Sequence, residues 1–304
     1  MVQLAFIGLG NMGLAIANNL IAKGNLDSPL LVWNRSAKKY EGLTDQGKYT
    51  IASSLEEAIS KADIIFTILS NDEVVNAVYD TALKISDGVK GKTFVEASTI
   101  HPDTTRGLEK SATEAGAEFV ASPVFGAPAI AVAGALVFVL SGSKIGIEKI
   151  KPYIVGVTGK QIIDLSDDND VGKALKLKIT GNSIILGMVE SLSEAHVLAD
   201  KSGLGTDNFE KFIEAVFGSS PYLPYSKRLT GGDYIPHVPK FAAPLAAKDA
   251  RHAISLAKES GVSLPIVEIA NKNLTEAAEE FGERSDITSI YGVLRQKAGL
   301  PLAK

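Results

Sequence analysis

Short apolar segments alternate with longer helical patterns through the first 165 residues, and this alternation constrains the fold more than any other feature of the chain. Strands that are apolar on both faces must be covered on both faces, so the pattern predicts a parallel sheet between two layers of helices. The sequence therefore predicts a doubly wound α/β domain. The strand candidates are residues 4–7, 30–33, 64–68, 93–96, 118–120, 135–140 and 161–164.

The pattern changes near residue 166. Residues 166–170 form a polar cluster with several possible helix N-caps, and they lack the glycine and distal glutamate of a calcium-binding EF-hand loop. One helical pattern of about 30 residues follows and ends near Lys201, and the remaining chain is also helical in pattern. We therefore expect two domains, residues 1–165 and 166–304, the second all-helical and joined to the first by a long interdomain helix.

Composition excludes several classes of function. The chain has 304 residues and a net charge of −4, which gives no electrostatic reason to expect nucleic acid or an anionic membrane as a partner. It has no cysteine, so disulfides, thiolate metal sites and a cysteine nucleophile are excluded. Its four histidines lack metal-ligand spacing, so we expect no metal. We find no targeting or membrane-spanning pattern and expect a cytoplasmic protein.

The segment after the first strand has the pattern G-x-G-x-x-G and opens a helical pattern. In this context Gly8 permits a tight turn, Gly10 lets a pyrophosphate approach the backbone, and Gly13 lets helix and strand pack closely. The helix N-terminus then faces the phosphates. An ordinary strand–helix turn is the alternative. We interpret the domain as Rossmann-type, with a dinucleotide contacted by Gly8, Leu9, Gly10, Asn11, Met12 and Gly13.

The end of the second strand indicates which dinucleotide binds. NAD enzymes usually carry Asp or Glu there, whereas this chain has Asn34, Arg35 and Ser36, with Lys39 one helical turn further. A carboxylate would repel a 2′-phosphate, but a guanidinium and a hydroxyl can bind it. We therefore predict NADP(H) as the cofactor. In the alternative interpretation Arg35 is a solvated surface arginine.

Several motifs, in order along nearly the whole chain, resemble those of one family. Residues 96–102 (EASTIHP) are similar to its D-x-S-T-x-x-P segment, residues 122–127 (SPVFGA) to its A-P-V-S-G-G segment, and residues 172–182 to its G-x-G-x-x-x-K-x-x-x-N pattern. Residues 232–234 and 241–249 resemble its G-D-Y and F-x-L-x-L-x-x-K-D stretches. The chain thus resembles the NADP-dependent β-hydroxyacid dehydrogenases of the 6-phosphogluconate dehydrogenase superfamily, which include 3-hydroxyisobutyrate dehydrogenases and glyoxylate/succinic semialdehyde reductases.

Three lysines compete for the family's catalytic position. In the family an asparagine follows this lysine by four residues and precedes a Ser-Glu pair by eleven, and Asn182 before residues 193–194 satisfies both spacings, which selects Lys178. Ala174, Lys178 and Asn182 also share one helix face. We assign Lys173 and Lys176 to a solvated face.

The resemblance implies hydride transfer between the nicotinamide and a β-hydroxyacid or its semialdehyde. Lys178 would exchange the hydroxyl proton as general acid and base, and Asn182 would orient the hydroxyl or carboxylate. The predicted substrate-binding residues are Ser98, Thr99, Phe125, Gly126, Ala127 and Asp249. Further predicted cofactor contacts are Leu69, Ser70, Asn71, Thr99, Phe241 and Lys248.

Departures from the family pattern leave alternatives open. Phe125 occupies the position of the serine that holds the substrate carboxylate in the family, which favours a bulkier or less polar substrate. An imine reductase of the same superfamily is one alternative, although its lysine position usually carries Asp or Tyr. A non-catalytic NADP-binding module is another, and Lys178 disfavours it. Because a 30-residue helix spans roughly 45 Å and relatives pair their helical domains, we expect a homodimer at least.

Overall fold

The computed structural model describes residues 1–85, 88–167, 169–218, 221–236 and 238–302. These form two compact units, Met1–Lys178 and Ile179–Lys304. The boundary that the sequence predicts near residue 166 stays a prediction, since compact packing does not define a domain that folds alone. Asp168 of the polar cluster and His237, one of the four histidines, lie outside the described residues.

The first unit is built on one sheet, in which the described residues form nine strands in the order β3-β2-β1-β4-β5-β6-β8-β7, with β9 beside β8. The pairs from β3 through β6 are all parallel. The order reverses at β1, as in a doubly wound fold, which confirms the predicted class. The strands are β1 (Leu4–Ile7), β2 (Leu30–Trp33), β3 (Tyr49–Ile51), β4 (Ile64–Thr67), β5 (Thr93–Glu96), β6 (Glu118–Ala121), β7 (Val124–Phe125), β8 (Leu136–Gly142) and β9 (Gly159–Asp164).

Helices cover both faces of this sheet, as the two-sided apolar strands require. In β1, Leu4 and Phe6 belong to one hydrophobic cluster, and Ala5 and Ile7 belong to another. This alternation follows from the period of two in a strand. The helices are α1 (Asn11–Lys23), α2 (Leu55–Lys61), α3 (Asp72–Ala82), α4 (Pro102–Glu114), α5 (Pro128–Val132) and α6 (Lys144–Ile150).

The far edge of the sheet differs from the expectation of a wholly parallel sheet. β8 runs antiparallel to both β6 and β7 and parallel to β9. The sequence pattern also does not predict the strands β3 and β7 or the helices α5 and α6. An apolar run reports burial and carries no information on strand direction, so the sequence pattern could not separate the two arrangements.

The helical pattern after residue 166 becomes the long helix α7, which begins later than expected. Ser166 N donates to Asp164 Oδ1 and Gly172 N donates to Asp170 Oδ1, both at 3.0 Å, so these residues form turns and the helix starts at Lys173. Aspartate side chains of this kind satisfy backbone donors in place of a helical turn.

The described residues of the second unit form helices, with no extended strand among them, which confirms the predicted all-helical part. Its core includes Leu186, Val189, Leu274 and Tyr291. No described helix has the length and apolar character needed to cross a membrane. The first helix, α7 (Lys173–Lys201), begins in the first unit and continues into the second. The others are α8 (Thr206–Phe217), α9 (Tyr222–Thr230), α10 (Ala243–Glu259), α11 (Pro265–Phe281) and α12 (Ile290–Lys297).

Candidate active site

The glycine loop joins β1 to α1, and two of its glycines are required by close packing. Gly8 has φ of +98°, and a Cβ there would lie 2.3 Å from Ile68 O. A Cβ on Gly13 would lie 1.9 Å from Gly8 O, closer than any side chain allows. The loop backbone therefore packs on the end of β4 and on itself in a way that only glycine permits.

Gly10 differs, because its surroundings are open. A Cβ built on it would meet no atom within 4 Å, and the residue is exposed. Gly10 is also the N-cap of α1, and no side chain caps this helix. A helix N-terminus with open space beside it suits a phosphate group. The side chain of Leu9 is fully buried, so only its backbone can face a ligand, and Met12 is half-buried.

Asn34 fixes the loop to the end of β2. Its Oδ1 accepts a hydrogen bond from Leu9 N at 2.8 Å, and its Nδ2 donates to Ser36 O at 3.0 Å. Arg35, Ser36 and Lys39 are exposed beyond this point. The structure thus makes Asn34 a support for the loop and leaves the side chains of the other three accessible.

The ends of β4 and β5 are joined by a buried polar network. Ser98 Oγ accepts from Leu69 N at 2.7 Å, and Ser98 N donates to Glu96 Oε1 at 2.7 Å. Thr67 Oγ1 donates to Glu96 Oε2 at 2.6 Å. Burial raises the pKa of Glu96 to about 7, although hydrogen bonds from Ser98 and Thr67 oppose the shift. Ser98 is buried and holds the backbone of Leu69, while its predicted contact with substrate stays a prediction.

The segments that follow these strands are tied to the helices they precede. Asn71 caps α3, its Oδ1 accepting from Val74 N at 2.9 Å, while Ser70 is exposed and Thr99 is half-buried. His101 caps α4, and its backbone N donates to Asp72 Oδ1 at 2.8 Å. Caps of this type satisfy helix N–H groups and fix where each loop ends.

Lys178 and Phe125 meet within the first unit. Lys178 Nζ lies 4.5 Å from the centroid of the Phe125 ring, and both side chains are half-buried. An ammonium over an aromatic face is stabilised by the ring quadrupole. Gly126 and Ala127, beyond Phe125, are exposed.

The start of α7 is fixed by Asp170. Its two oxygens pair with Arg106 Nε at 2.9 Å and Lys176 Nζ at 2.8 Å, and these cations hold the pKa of Asp170 well below its usual range. The sequence predicts that Lys176 lies on a solvated face. The structure shows that this partly exposed side chain forms an ion pair with Asp170. Lys176 thus pairs with Asp170, whereas Lys178 lies over the ring of Phe125.

In the second unit, three predicted residues contact one another. Asn182 Nδ2 donates to Asp249 Oδ2 at 2.7 Å, and Lys248 Nζ lies 3.2 Å from Asp249 Oδ1. Asn182 and Asp249 are buried, and Lys178 lies one turn before Asn182 on α7. The buried carboxylate thus fixes the amide of Asn182, which leaves little freedom in its orientation.

Phe241 is held by a residue that the sequence analysis missed. Asp286 is fully buried, and its Oδ2 accepts from Lys240 N at 2.7 Å and Phe241 N at 2.9 Å. Its Oδ1 accepts from Arg228 Nη2 at 2.7 Å. The available signal was the spacing of Asp286 and Ser289, which form a capping box. Within the described part of the chain, no group of three or more His, Asp or Glu side chains is placed to hold a metal ion.

Comparison with known families agrees with this architecture. Residues 3–165 match the family model for the NAD binding domain of 6-phosphogluconate dehydrogenase, and residues 172–294 match the model for the NAD-binding region of NADP-dependent 3-hydroxyisobutyrate dehydrogenase. The chain belongs to the 3-hydroxyisobutyrate dehydrogenase-like family of β-hydroxyacid dehydrogenases. This confirms the resemblance drawn from the motifs.

Individual relatives of this dehydrogenase family cover almost the whole chain. The NADH-dependent oxidoreductase ucdB of Aspergillus ustus is 34% identical over 96% of this chain and 99% of its own. Glyoxylate/succinic semialdehyde reductase 1 of Arabidopsis thaliana is 30% identical over 91% and 92%. The structure of Mycobacterium tuberculosis 3-hydroxyisobutyrate dehydrogenase with L-serine shares the fold, with a TM-score of 0.79 at 24% identity, over 97% of this chain and 99% of that one. Both NADH and NADP occur in these names, so the comparisons support an NAD(P) site.

Proposed function

We propose that this protein is an NADP(H)-dependent oxidoreductase that interconverts a β-hydroxyacid, or a related short-chain alcohol, and its semialdehyde or keto form. The observation that carries the proposal is the placement of Lys178 one helical turn before Asn182, whose amide is fixed by the buried carboxylate of Asp249 at 2.7 Å. A proton-exchanging amine beside an oriented amide is what the oxidation of an alcohol needs in addition to a hydride acceptor.

The residues of the glycine loop fit a dinucleotide. The open space beside Gly10 and the uncapped N-terminus of α1 suit the pyrophosphate, and a side chain on Gly10 would fill that space. Leu69–Asn71, which follows β4, is the segment proposed to contact the nicotinamide ribose. The bound nicotinamide supplies the hydride acceptor or donor.

Lys178 acts on the substrate oxygen. In oxidation its neutral amine takes the proton from the hydroxyl, and in reduction its ammonium returns a proton to the carbonyl oxygen. Asn182 orients the same hydroxyl or the substrate carboxylate, while Asp249 keeps the amide of Asn182 in place. Lys248, paired with Asp249, and Phe241 are proposed to lie over the cofactor.

Phe125 shapes the substrate preference. Its ring lies against Lys178 Nζ, so an apolar surface rather than a hydroxyl borders the proton-exchanging group. A ring offers a carboxylate no hydrogen bond, whereas it packs well against an apolar substituent. We therefore propose a substrate that is bulkier or less polar beside its carbonyl group than a small oxo acid.

The preference for NADP(H) rests on the exposed Arg35 and Ser36 at the end of β2, where no Asp or Glu follows the strand. A 2′-phosphate would find a cation and a hydroxyl there.

We also propose a homodimer formed through the helical unit. Ile184 and Leu198 of α7 are 70% and 68% exposed, and apolar side chains this exposed on one long helix favour a partner surface. Sedimentation velocity is expected to show a dimer or a larger assembly, and a monomer at every concentration would contradict this.

The activity is tested by following NADPH oxidation with succinic semialdehyde, glyoxylate and a cyclic imine. We expect turnover with an aldehyde, and turnover with the imine alone would make the protein an imine reductase. Tight NADPH binding without turnover of any of the three would favour a non-catalytic module.

The role of Lys178 is tested by Lys178→Ala, which is expected to lower kcat by at least roughly 10²-fold and to spare the Kd for NADPH. Lys176→Ala is the matched control, because its half-exposed pair with Asp170 is worth at most about 1 kcal/mol. Normal turnover in Lys178→Ala would remove the acid–base assignment.

A further inference from the structure

A fully buried glutamate lies where β4 and β5 end, and the mechanism above does not use it. Glu96 is 0% exposed, and both of its oxygens accept hydrogen bonds, Oε1 from Ser98 N and Oε2 from Thr67 Oγ1. Burying a carboxyl group is costly unless its hydrogen bonds are satisfied. The bonds of Glu96 offset that cost, so the carboxyl group and its two donors form one unit, and the question is what this unit holds.

The bonds of Glu96 lead directly to the loop after β4. Ser98, whose backbone is held by Glu96, uses its Oγ to accept from Leu69 N at 2.7 Å. Leu69 begins the segment that ends at Asn71, the cap of α3. The segment is therefore held at both ends, by Ser98 at its start and by the helix cap at its end.

We propose that Glu96 is a positioning residue for the cofactor: through Ser98 it holds the backbone of Leu69, and so orders the 69–71 segment for the nicotinamide ribose. The proposal rests on the dinucleotide site proposed above. Glu96 itself, being fully buried, need not touch the cofactor. If the segment is already ordered before the cofactor binds, the entropic cost of binding is smaller.

The charge of Glu96 strengthens this support. Hydrogen bonds to an ionised carboxylate are worth roughly twice those to a neutral group. When Glu96 is protonated it must donate, and Thr67 Oγ1 can accept because its own hydrogen has Val95 O at 3.3 Å as another acceptor. The bond from Ser98 N then ends on a neutral group, so the support of Leu69 weakens.

Glu96 ionises at a pH near neutrality, where binding can be measured on the folded protein. Burial raises its pKa to about 7, and the charge of Asp72 adds to this rise. Two ionisable groups of α3 interact with it: the charge of Asp72 raises its pKa, and Glu96 in turn raises the pKa of Tyr79. Its partners on the neighbouring strands, Thr67 of β4 and Ala121 of β6, are uncharged. The segment should therefore be best ordered above neutral pH.

The test compares Glu96→Gln with Glu190→Gln, a second buried glutamate, whose hydrogen bond comes from Asn273 of α11. The chain has one tryptophan, Trp33, at the end of β2, whose carbonyl accepts from Gly8 N, so quenching of its fluorescence reports NADPH binding. Glu96→Gln is expected to raise the Kd for NADPH about fivefold at pH 8, with kcat little changed. Glu190→Gln is expected to leave Kd unchanged.

The pH profile separates positioning from a general loss of structure. Between pH 6 and 8.5 the wild-type Kd should contain a component that falls about fivefold through pH 7, and Glu96→Gln should lack that component. Equal Kd values and equal profiles in wild type and Glu96→Gln would overturn the proposal, as would the same change in Glu190→Gln.

A second variant covers the case in which Glu96→Gln does not fold. Ser98→Ala removes the acceptor of Leu69 N and leaves Glu96 in place, so it should raise the Kd roughly tenfold. An unchanged Kd in Ser98→Ala overturns the role of Glu96. Absence of NADPH and NADH binding in the wild type would instead overturn the proposed function, and this inference with it.

Discussion

Glu96 in the α/β unit and Glu190 in the helical unit are alike in burial and in ionisation, and differ in what they hold. Glu190 is 2% exposed, and burial raises its pKa to about 7, as for Glu96. Its Oε1 accepts from Asn273 Nδ2 at 2.6 Å, and Asn273 Oδ1 accepts from Lys297 Nζ at 2.8 Å. This network links α7, α11 and α12 and includes no predicted site residue.

The difference teaches that a raised pKa does not by itself mark a functional carboxyl group. Both oxygens of Glu96 are bonded, and one of those bonds supports the segment after β4. The second oxygen of Glu190 has no hydrogen-bond partner among the residues that the structure describes. The connections of each group, rather than its burial, indicate whether it serves the site or the core.

Asp286 is a third buried carboxylate, and both of its oxygens accept hydrogen bonds. Its substitution should change the free energy of unfolding more than the other substitutions do. Asp286→Ala is expected to lower the free energy of unfolding by about 3–5 kcal/mol, because it leaves the half-buried Arg228 and the N–H groups of Lys240 and Phe241 without their acceptor. Urea unfolding measures this loss.

Asp233→Ala is the matched control. Asp233 pairs with the same Arg228 and Lys240, but its side chain is 41% exposed, so its loss should cost at most about 1 kcal/mol. Similar losses in the two variants would show that burial does not decide the contribution of these pairs.

Glu190→Gln should stabilise the protein at alkaline pH. Because the pKa is raised to about 7 in the folded state, from 4.5, the folded chain binds this proton more tightly, and wild-type stability falls as pH rises from about 4.5 through 7. Glu190→Gln removes this loss, so at pH 8 it should gain about 3 kcal/mol, and it should gain little at pH 4.

The same measurement on Glu96→Gln sharpens the comparison. Its pKa is raised to the same value, so its gain in stability at pH 8 should be of similar size. Equal gains with an altered Kd for NADPH only in Glu96→Gln would separate the two roles. A gain at pH 4 as large as that at pH 8 would contradict the titration of either glutamate.

Substitutions at two glycines of the loop distinguish a glycine required by packing, Gly13, from one that leaves room for a ligand, Gly10. Gly13→Ala should destabilise the protein by about 1–3 kcal/mol, because its Cβ would overlap Gly8 O. Gly10→Ala should lower the thermal unfolding temperature less than Gly13→Ala, since its Cβ meets no atom, and should raise the Kd for NADPH by roughly tenfold. Unchanged binding in a folded Gly10→Ala would mean that no pyrophosphate lies there.

Arg35→Ala should have the smallest effect, because the side chain is exposed. The ratio of NADPH to NADH affinity should fall about tenfold, which corresponds to about 1.4 kcal/mol, while stability stays the same. Lys38→Ala, also exposed on the same segment, should leave the ratio unchanged. A ratio unaltered in Arg35→Ala would favour NADH, the cofactor named for the relative from Aspergillus ustus.

The parts of the candidate site that the sequence predicts are those encoded locally. The glycine loop and the shared face of Lys178 and Asn182 follow from spacings within one turn or one helix. The support of Leu69 by Ser98 and of Asn182 by Asp249 joins residues 29 and 67 positions apart. Periodicity carries no signal for such pairs. The hydrogen bonds of Glu96 and Asp286 therefore could not be predicted from the sequence.

The sequence by itself determined the α/β and helical parts, the family, and the residue types available for hydride-linked chemistry. These follow from hydrophobic periodicity, glycine spacing and ordered motifs, which report how each segment is buried. Only the tertiary structure decided that β8 runs antiparallel to β6 and that Lys178 meets Phe125. It also decided that Glu96 bonds to Ser98 after β5, whereas Glu190 bonds to Asn273 of α11. Burial fixes which face of an element is apolar, but the partner of each buried polar group is set by the packing of distant segments.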